Sequence, residues 1–433
     1  MRADMRSVAY GIGQVGENLN RRPVTLEAIL RRTLALILAA SALLHAAPAR
    51  AQDGGPDQSS VRVRIGPLMM NPIISLTNIG IDHNVFNEPD SAPPKEDFTF
   101  TVTPATDFWL HLGPTWVTAS LIESINWYQK YASERTANSE YKLGWNVPGS
   151  IVGFKINYDY TNQKDRPGFE IDERVEHKGD SYGGSVDFHA LSKTTIGVNG
   201  NYMRTRFASG QTYEGVDLQE SLSRTSTTVG VNLRHQLTPL TGISFTGSRV
   251  MDRFIYSPER DSNADSVNLA MTFTPGALFT GSASVGYDRF KPIDPTLPGF
   301  TGVIANVGLT YVLLGSTRFA LAFTRGVQYS YDVNQPYYVQ TGGDLSVAQQ
   351  IFGPVDVAAH GGTELLSYRD RLGASVPVPG RQDHVDAFGV GVGYHIGKDL
   401  RLSFNVDKVY RQTEVADRQY QNWKFGSSLN YGF

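Results

Sequence analysis

The chain has 433 residues, no cysteine, a formal net charge of −3, and 43 Gly beside 21 Tyr and 21 Phe, with only 19% charged residues. So many aromatics at so low a net charge exclude a disordered chain; the lack of cysteine excludes disulfides, thiolate metal sites and a cysteine nucleophile; and no apolar run reaches the roughly 20 residues of a transmembrane helix. Hydrophobic content is a modest 40%, and the glycine- and tyrosine-rich profile suits one β-barrel with a polar lumen rather than two or three soluble domains.

In chain order, Arg31 and Arg32 precede an apolar run over residues 33–44, followed by HAAPARA ending at Ala51. A basic start, a short apolar core and small residues at Ala49 and Ala51 read as a secretory signal peptide, cleaved after Ala51. Residues 1–51 are therefore expected to be an N-terminal extension and signal peptide, 52–70 a periplasmic tether, and 71–433 an outer-membrane barrel. Removing residues 1–51, which hold seven Lys+Arg and three Asp+Glu, takes the formal charge from −3 to −7. An acidic mature chain disfavours nucleic acid as a partner.

From Asn71 onward the dominant signal is alternation with period 2. Phe154, Ile156, Tyr158 and Tyr160 alternate with Lys155, Asn157, Asp159 and Thr161. Phe388, Val390, Val392 and Tyr394 alternate with Gly389, Gly391, Gly393 and His395. Eighteen such segments are predicted, at 72–86, 97–112, 114–131, 136–147, 150–163, 177–191, 193–208, 220–236, 240–256, 264–275, 278–291, 301–313, 316–331, 338–352, 354–370, 383–396, 398–411 and 420–433. They are longer than the usual 5–6-residue strands of soluble sandwiches.

Short connections alternate with long ones. The short ones carry Gly113, Pro148-Gly149, Gly276, Gly315, Gly353 and Gly397; the long ones include 164–176, 209–219 and 412–419. This rhythm predicts an all-β, antiparallel up-and-down transmembrane barrel in the bacterial outer membrane. Its even strand count puts both termini on the periplasmic side. Closure is the physical reason, because a sheet in lipid must pair every backbone group. Tyr158, Tyr160, Tyr202, Tyr287, Tyr329 and Tyr331 are expected to form the aromatic belt where strands approach the long loops.

By parity, Lys155, Asn157, Asp159, Asn199, Asn201, Asn232, Arg234, Arg318, Arg401, Asn405, Asp407 and Lys424 point into the barrel. They could line a water-filled pore or pair across it and plug it. Arg401→Glu is expected to leave folding intact. Arg204, Arg206, Arg253 and Arg289 share the outward parity beyond the tyrosines, where lipid phosphates could bind by charge-assisted hydrogen bonds.

No H-x-x-x-H or HExxH spacing supports zinc, and no G-x-S-x-G marks a nucleophile. Gly389-Val-Gly391-Val-Gly393 lies within a strand, so it reads as lumen glycine rather than a nucleotide loop. No cofactor, metal or catalytic residue is assigned.

The terminal Leu429-Asn-Tyr431-Gly-Phe433 resembles the assembly signal of bacterial outer-membrane barrels. The resemblance implies that Leu429, Tyr431 and Phe433 are read by the barrel assembly machinery. Tyr287-Asp-Arg-Phe290, Ser367-Tyr-Arg-Asp-Arg371 and Tyr410-Arg411 give the mature chain a resemblance to the putative β-barrel porin type 2 group. That resemblance implies a porin-like channel and makes exopolysaccharide export an alternative; a structural or adhesive barrel with a closed lumen is another. The expected function is passive passage of small hydrophilic solutes, without catalysis, with outer-membrane lipid and lipopolysaccharide as surroundings. Export of an anionic polymer would require a lumen with more basic than acidic residues.

Overall fold

The computed structural model describes Gly55 and residues 61–432. The expected cleavage residues Ala49 and Ala51, and the terminal Phe433, lie outside the described residues. The alternating segments form eighteen strands, which we number in chain order. The first six are β1 Leu68–Asp82, β2 Asp97–Leu112, β3 Thr115–Tyr128, β4 Thr136–Val147, β5 Val152–Asp165 and β6 Val175–Leu191. The next six are β7 Thr194–Phe207, β8 Arg224–Thr238, β9 Thr241–Phe254, β10 Ser262–Phe273, β11 Phe279–Pro292 and β12 Phe300–Leu313. The last six are β13 Thr317–Tyr329, β14 Tyr337–Phe352, β15 Val355–Arg369, β16 Gln382–Ile396, β17 Leu400–Gln412 and β18 Tyr420–Tyr431.

Each strand pairs antiparallel with the next, and β1 pairs with β18. The sheet is thus a closed barrel, which removes the open edges that lipid cannot solvate. The apolar set of each strand faces out: Ile156, Val198, Val231, Phe245, Val390 and Phe404 are all exposed. The tight turns and the first and last strand ends share one rim, and the long loops occupy the other. Gly353 and Gly397 turn at φ 52° and 68°, a conformation that a Cβ disfavours.

Two strands depart most from the sequence reading. The first strand runs over 68–82 rather than 72–86. At its start Leu68–Met70 is held by a short strand, Val63–Ile65. At its end Asn84 draws the chain into a turn, its backbone N–H donating to Asn422 Oδ1 at 2.9 Å. The segment expected from 220 begins as the short helix α1, Leu218–Leu222, and becomes strand only at Arg224. Asp217 caps that helix by accepting from the N–H of Gln219 at 2.7 Å.

One seam of the barrel is incomplete. β12 and β13 pair from Leu313↔Thr317 only as far as Ala305↔Arg325. Beyond this point the upper ends of β13 and β14 lean inward. The Tyr329 hydroxyl donates to Asp252 Oδ2 at 2.7 Å, and Phe254 stands edge-on to the Tyr329 ring at 4.9 Å. Tyr337 and Val339 pack with Phe290 and Phe300 in a buried cluster. Arg325 donates from Nε to the Val303 carbonyl at 3.1 Å, occupying a backbone acceptor that lost its strand partner. The expected belt positions Tyr329 and Tyr331 are therefore corrected: Tyr329 packs on the inner wall, and Tyr331 is buried among the loops. Periodicity predicted their outward face, but the opened seam moves the whole strand end.

Candidate functional site

The period-2 backbone brings every polar residue expected inside onto the inner face, opposite exposed apolar neighbours. Lys155, Asn157 and Asp159 occupy β5; Asn199 and Asn201 β7; Asn232 and Arg234 β8; Arg318 β13; Arg401, Asn405 and Asp407 β17; and Lys424 β18. Asn157 donates to Asp159 at 3.0 Å, and Arg234 to Asn232 at 3.3 Å. Asn405, Asp407 and Lys424 line a cavity of about 80 Å³ with Asp82 and Asn126. Lys155 and Arg318 are exposed on the same inner face. Leu429 and Tyr431 stand on the outer face of β18, both exposed.

Most inner-wall charges pair along the wall. Lys142 and Glu140 lie 2.6 Å apart, Lys424 and Asp82 3.6 Å, and Arg234 and Asp187 3.5 Å. Arg234 on β8 thereby skips β7 to reach Asp187 on β6, and two further bridges skip β16. Arg401 on β17 reaches Asp356 on β15 through Nε at 2.9 Å and Nη2 at 2.6 Å. His395 also meets Asp356, at 2.8 Å. His360 on β15 meets Asp407 on β17 at 2.9 Å. Both bridges pass over β16, where a Cβ on Gly393 would lie 2.4 Å from Arg401 Nη2 and one on Gly389 2.0 Å from Asp407 Oδ1. The glycine alternation of β16 is therefore the floor beneath two side-chain bridges. Arg401 proves to be a tied residue, and Arg401→Glu would set a carboxylate against Asp356 rather than leave the wall undisturbed.

A second layer lies at the long-loop rim. Glu170, in the loop between β5 and β6, is 2% exposed. Its carboxylate accepts from Ser330 Oγ at 2.6 Å and from the Tyr331 N–H at 3.1 Å. Ser330 follows β13, eight strands away on an eighteen-strand ring, so these loops meet over the lumen. Asp172 of the same loop pairs with Arg411 of β17, and with Arg418 at 3.3 Å. Arg166 and Arg174 donate to the Val85 carbonyl at 2.7 and 3.0 Å, tying the loop to the connection after β1. Ile171, Tyr213, Leu218, Leu222 and Tyr331 form an apolar core in this layer. Arg260 reaches in from the connection after β9, donating to the Pro336 carbonyl at 2.9 Å.

Burial shifts titratable groups here. It pushes the Glu170 carboxyl above its usual range, opposed by the Ser330 hydroxyl and the nearby Arg418. Burial lowers Arg260 to about 10.

Between this loop and the wall of β14–β18 lies a cavity of about 310 Å³. Arg166, Phe169 and Asp172 line its loop side; Asp344, Glu364 and Lys424 line its wall side. Among the described residues, no group of three or more His, Cys, Asp or Glu could hold a metal ion. The sequence reading had no means of finding Glu170, Asp172, Arg260 or Arg418, because loops carry no period. Arg411 stood in a strand-end motif, but its partners did not.

Comparison with solved structures finds barrels of similar extent at very low identity. The outer membrane protein opdK from Pseudomonas aeruginosa shares 8% identity at TM-score 0.43, covering 84% of this chain and 98% of that one. A BenF-like porin from Pseudomonas fluorescens Pf-5 shares 9% at TM-score 0.48, with the same coverages. OccAB4 from Acinetobacter baumannii shares 10% at TM-score 0.43, covering 84% and 97%. No curated protein matches the chain. The family model described as "Putative beta-barrel porin 2" matches residues 60–431, and the chain belongs to this family of bacterial outer-membrane porins.

Proposed function

We propose that the barrel is a diffusion channel for small hydrophilic solutes, whose route runs between the 166–174 loop and the wall of β14–β18. The observation that carries this reading is the cavity of about 310 Å³ left beside the tethered loop. An eighteen-strand ring is wide enough for an aqueous channel unless loops narrow it, and here one loop crosses it. The long-loop rim faces the exterior and the tight turns face the periplasm. Leu429 and Tyr431 belong to the strand offered to the assembly machinery. The reading assigns the wall residues to solvation and selectivity, with no catalytic step.

Polymer export is the less favoured reading. It requires a basic lumen, yet the inner face adds Asp107, Glu140, Asp187, Asp344, Asp356 and Glu364 to the acidic residues recognised from the sequence. The wall is of mixed sign and largely self-paired.

Planar-bilayer recording of the folded barrel, beside a form with residues 167–173 replaced by a short glycine linker, tests the proposal. Discrete conductance steps are expected from both, larger in the shortened form. Steps from the shortened form alone would favour the closed structural barrel. The absence of steps from both would refute the channel.

A further inference from the structure

The outer wall of β6–β11 carries a band of positive charge above its apolar zone. Tyr182, Tyr202 and Tyr287 are exposed at the top of that zone. Two residues further toward the long loops on β7 and β11 stand Arg204 and Arg289, followed by Arg206 and Lys291. Strand register joins these positions into one patch. Lys178 lies opposite Arg206, and Asp180 opposite Arg204. Arg204 lies opposite Thr225, which lies opposite Arg253. Asp265 sits between Arg249 and Arg289, and Asn263 lies opposite Lys291.

Some of this charge is spent within the protein. Arg206 pairs with Asp180 at 2.7 Å and Arg249 with Asp265 at 3.7 Å. Arg253 donates to the Ser262 carbonyl and to Asn263 at 2.8 and 2.9 Å. Lys178, Arg204, Arg289 and Lys291 are exposed and have no ion-pair partner among the described residues. Elsewhere on the outer face cations stand singly, as Arg325 on β13, Arg369 on β15 and Lys408 on β17. On β17, β18, β2 and β3 the outer face instead presents Tyr410, Trp423, Phe100 and Trp127, with Lys408 over the Trp423 ring at 5.0 Å.

We propose that the β6–β11 arc binds the phosphate groups of outer-leaflet lipopolysaccharide. Its height fits. Two residues along a strand advance about 7 Å, or roughly 5 Å along the membrane normal at a tilt near 40°. The headgroup layer adds about 5–7 Å on each side of the hydrocarbon. Tyrosines mark the boundary, so the guanidinium of Arg204 and that of Arg289 stand at phosphate depth, with Arg206 and Lys291 just outside. Arginine binds phosphate by paired, charge-assisted hydrogen bonds, and the apolar wall below, including Val198, Val231, Leu269 and Val285, is the seat for the acyl chains. The inference rests on the proposed outward orientation of the long loops, which sets this rim in the outer leaflet.

Native mass spectrometry of the folded barrel after exposure to diphosphoryl lipid A is the test, with phosphatase-treated lipid A and inorganic phosphate as the other probes. The variant K178Q/R204Q/R289Q/K291Q should need at least ten-fold more diphosphoryl lipid A for equal retention, while Lys408→Gln behaves as the parent. The phosphatase-treated lipid should bind parent and variant alike, and millimolar inorganic phosphate should displace nothing. Equal retention of diphosphoryl lipid A by parent and quadruple variant would overturn the proposal, as would displacement by free phosphate. Loss of a cross-linkable oligomer with lipid retention unchanged would assign the arc to contact between copies, and so overturn it too. The double variants K178Q/R204Q and R289Q/K291Q, each expected to lose part of the retention, serve if the quadruple variant does not fold. Conductance recorded from the same preparations reads the channel separately, because none of the four residues faces the lumen.

Discussion

A Cβ on Gly393 would occupy the space where the Arg401 guanidinium meets Asp356. The obstacle is the far end of a flexible side chain, so Gly393→Ala displaces the bridge rather than the backbone. The loss is expected to reach about 1.5–3 kcal/mol at most, the worth of hydrogen bonds to a charged partner, with the barrel still closed. Gly247→Ala is the control, since nothing lies within 4 Å of a Cβ there. Denaturant unfolding in lipid vesicles checks both; equal midpoints for the two variants would show that the bridge over β16 contributes nothing. The inward parity of Gly393 was legible from alternation alone. Its partners were not, because they come from the strands on either side of it.

At the scale of the strand, alternation is itself a prediction about lipid. Phe154 and Lys155 are consecutive on β5 and project to opposite sides of the wall. A charge facing lipid near mid-membrane costs about 2–4 kcal/mol, falling toward the interfaces. Phe154→Arg should therefore lower folding yield and heat-modifiable mobility in thin-bilayer vesicles, while Lys155→Gln folds as the parent. The opposite pattern would place β5 one residue out of register. Asp159, Asp407 and Lys424 share the face opposite the exposed apolar set, and a one-residue slip would turn every apolar side chain to their side. It failed at Tyr329, where the ladder to β12 ends at Arg325 and the strand tip folds inward. Alternation reports which face a residue shares with its neighbours, not where that face is carried once a strand leaves its ladder.

At the scale of the whole barrel, Glu170 couples loops from distant parts of the ring. Burial raises its folded-state pKa above the usual carboxylate value. The folded loop layer then holds a proton that the opened layer releases. Stability from this group is complete below the usual carboxylate pKa and falls as pH rises through the raised value. Hydrogen-exchange protection of residues 166–174, corrected for the intrinsic pH dependence of exchange, should decline across that window in the parent. In Glu170→Gln it should stay level, apart from any contribution of Glu173, whose carboxyl burial also raises. An equal decline in both proteins would remove Glu170 as the titrating group. The groups facing it are Arg411 of β17, Arg418 of the connection after β17, Arg381 of the connection before β16, and Ser330 and Tyr331 from the loop after β13.

The sequence by itself determined the membrane-facing surface, the strand count, the turn rhythm and the polar inner face. Each is written in a period of two residues that must hold wherever one side of a sheet meets lipid and the other meets water. Only the tertiary structure decided which inner charges are tied, where one seam is left partly unpaired, and how the lumen is crossed. Glu170 and Ser330 are 160 residues apart, and their meeting follows from ring closure, which sets facing strands across a lumen. No local pattern records a partner on the far side of a closed ring, so the wall could be read from the chain and the loop layer could not.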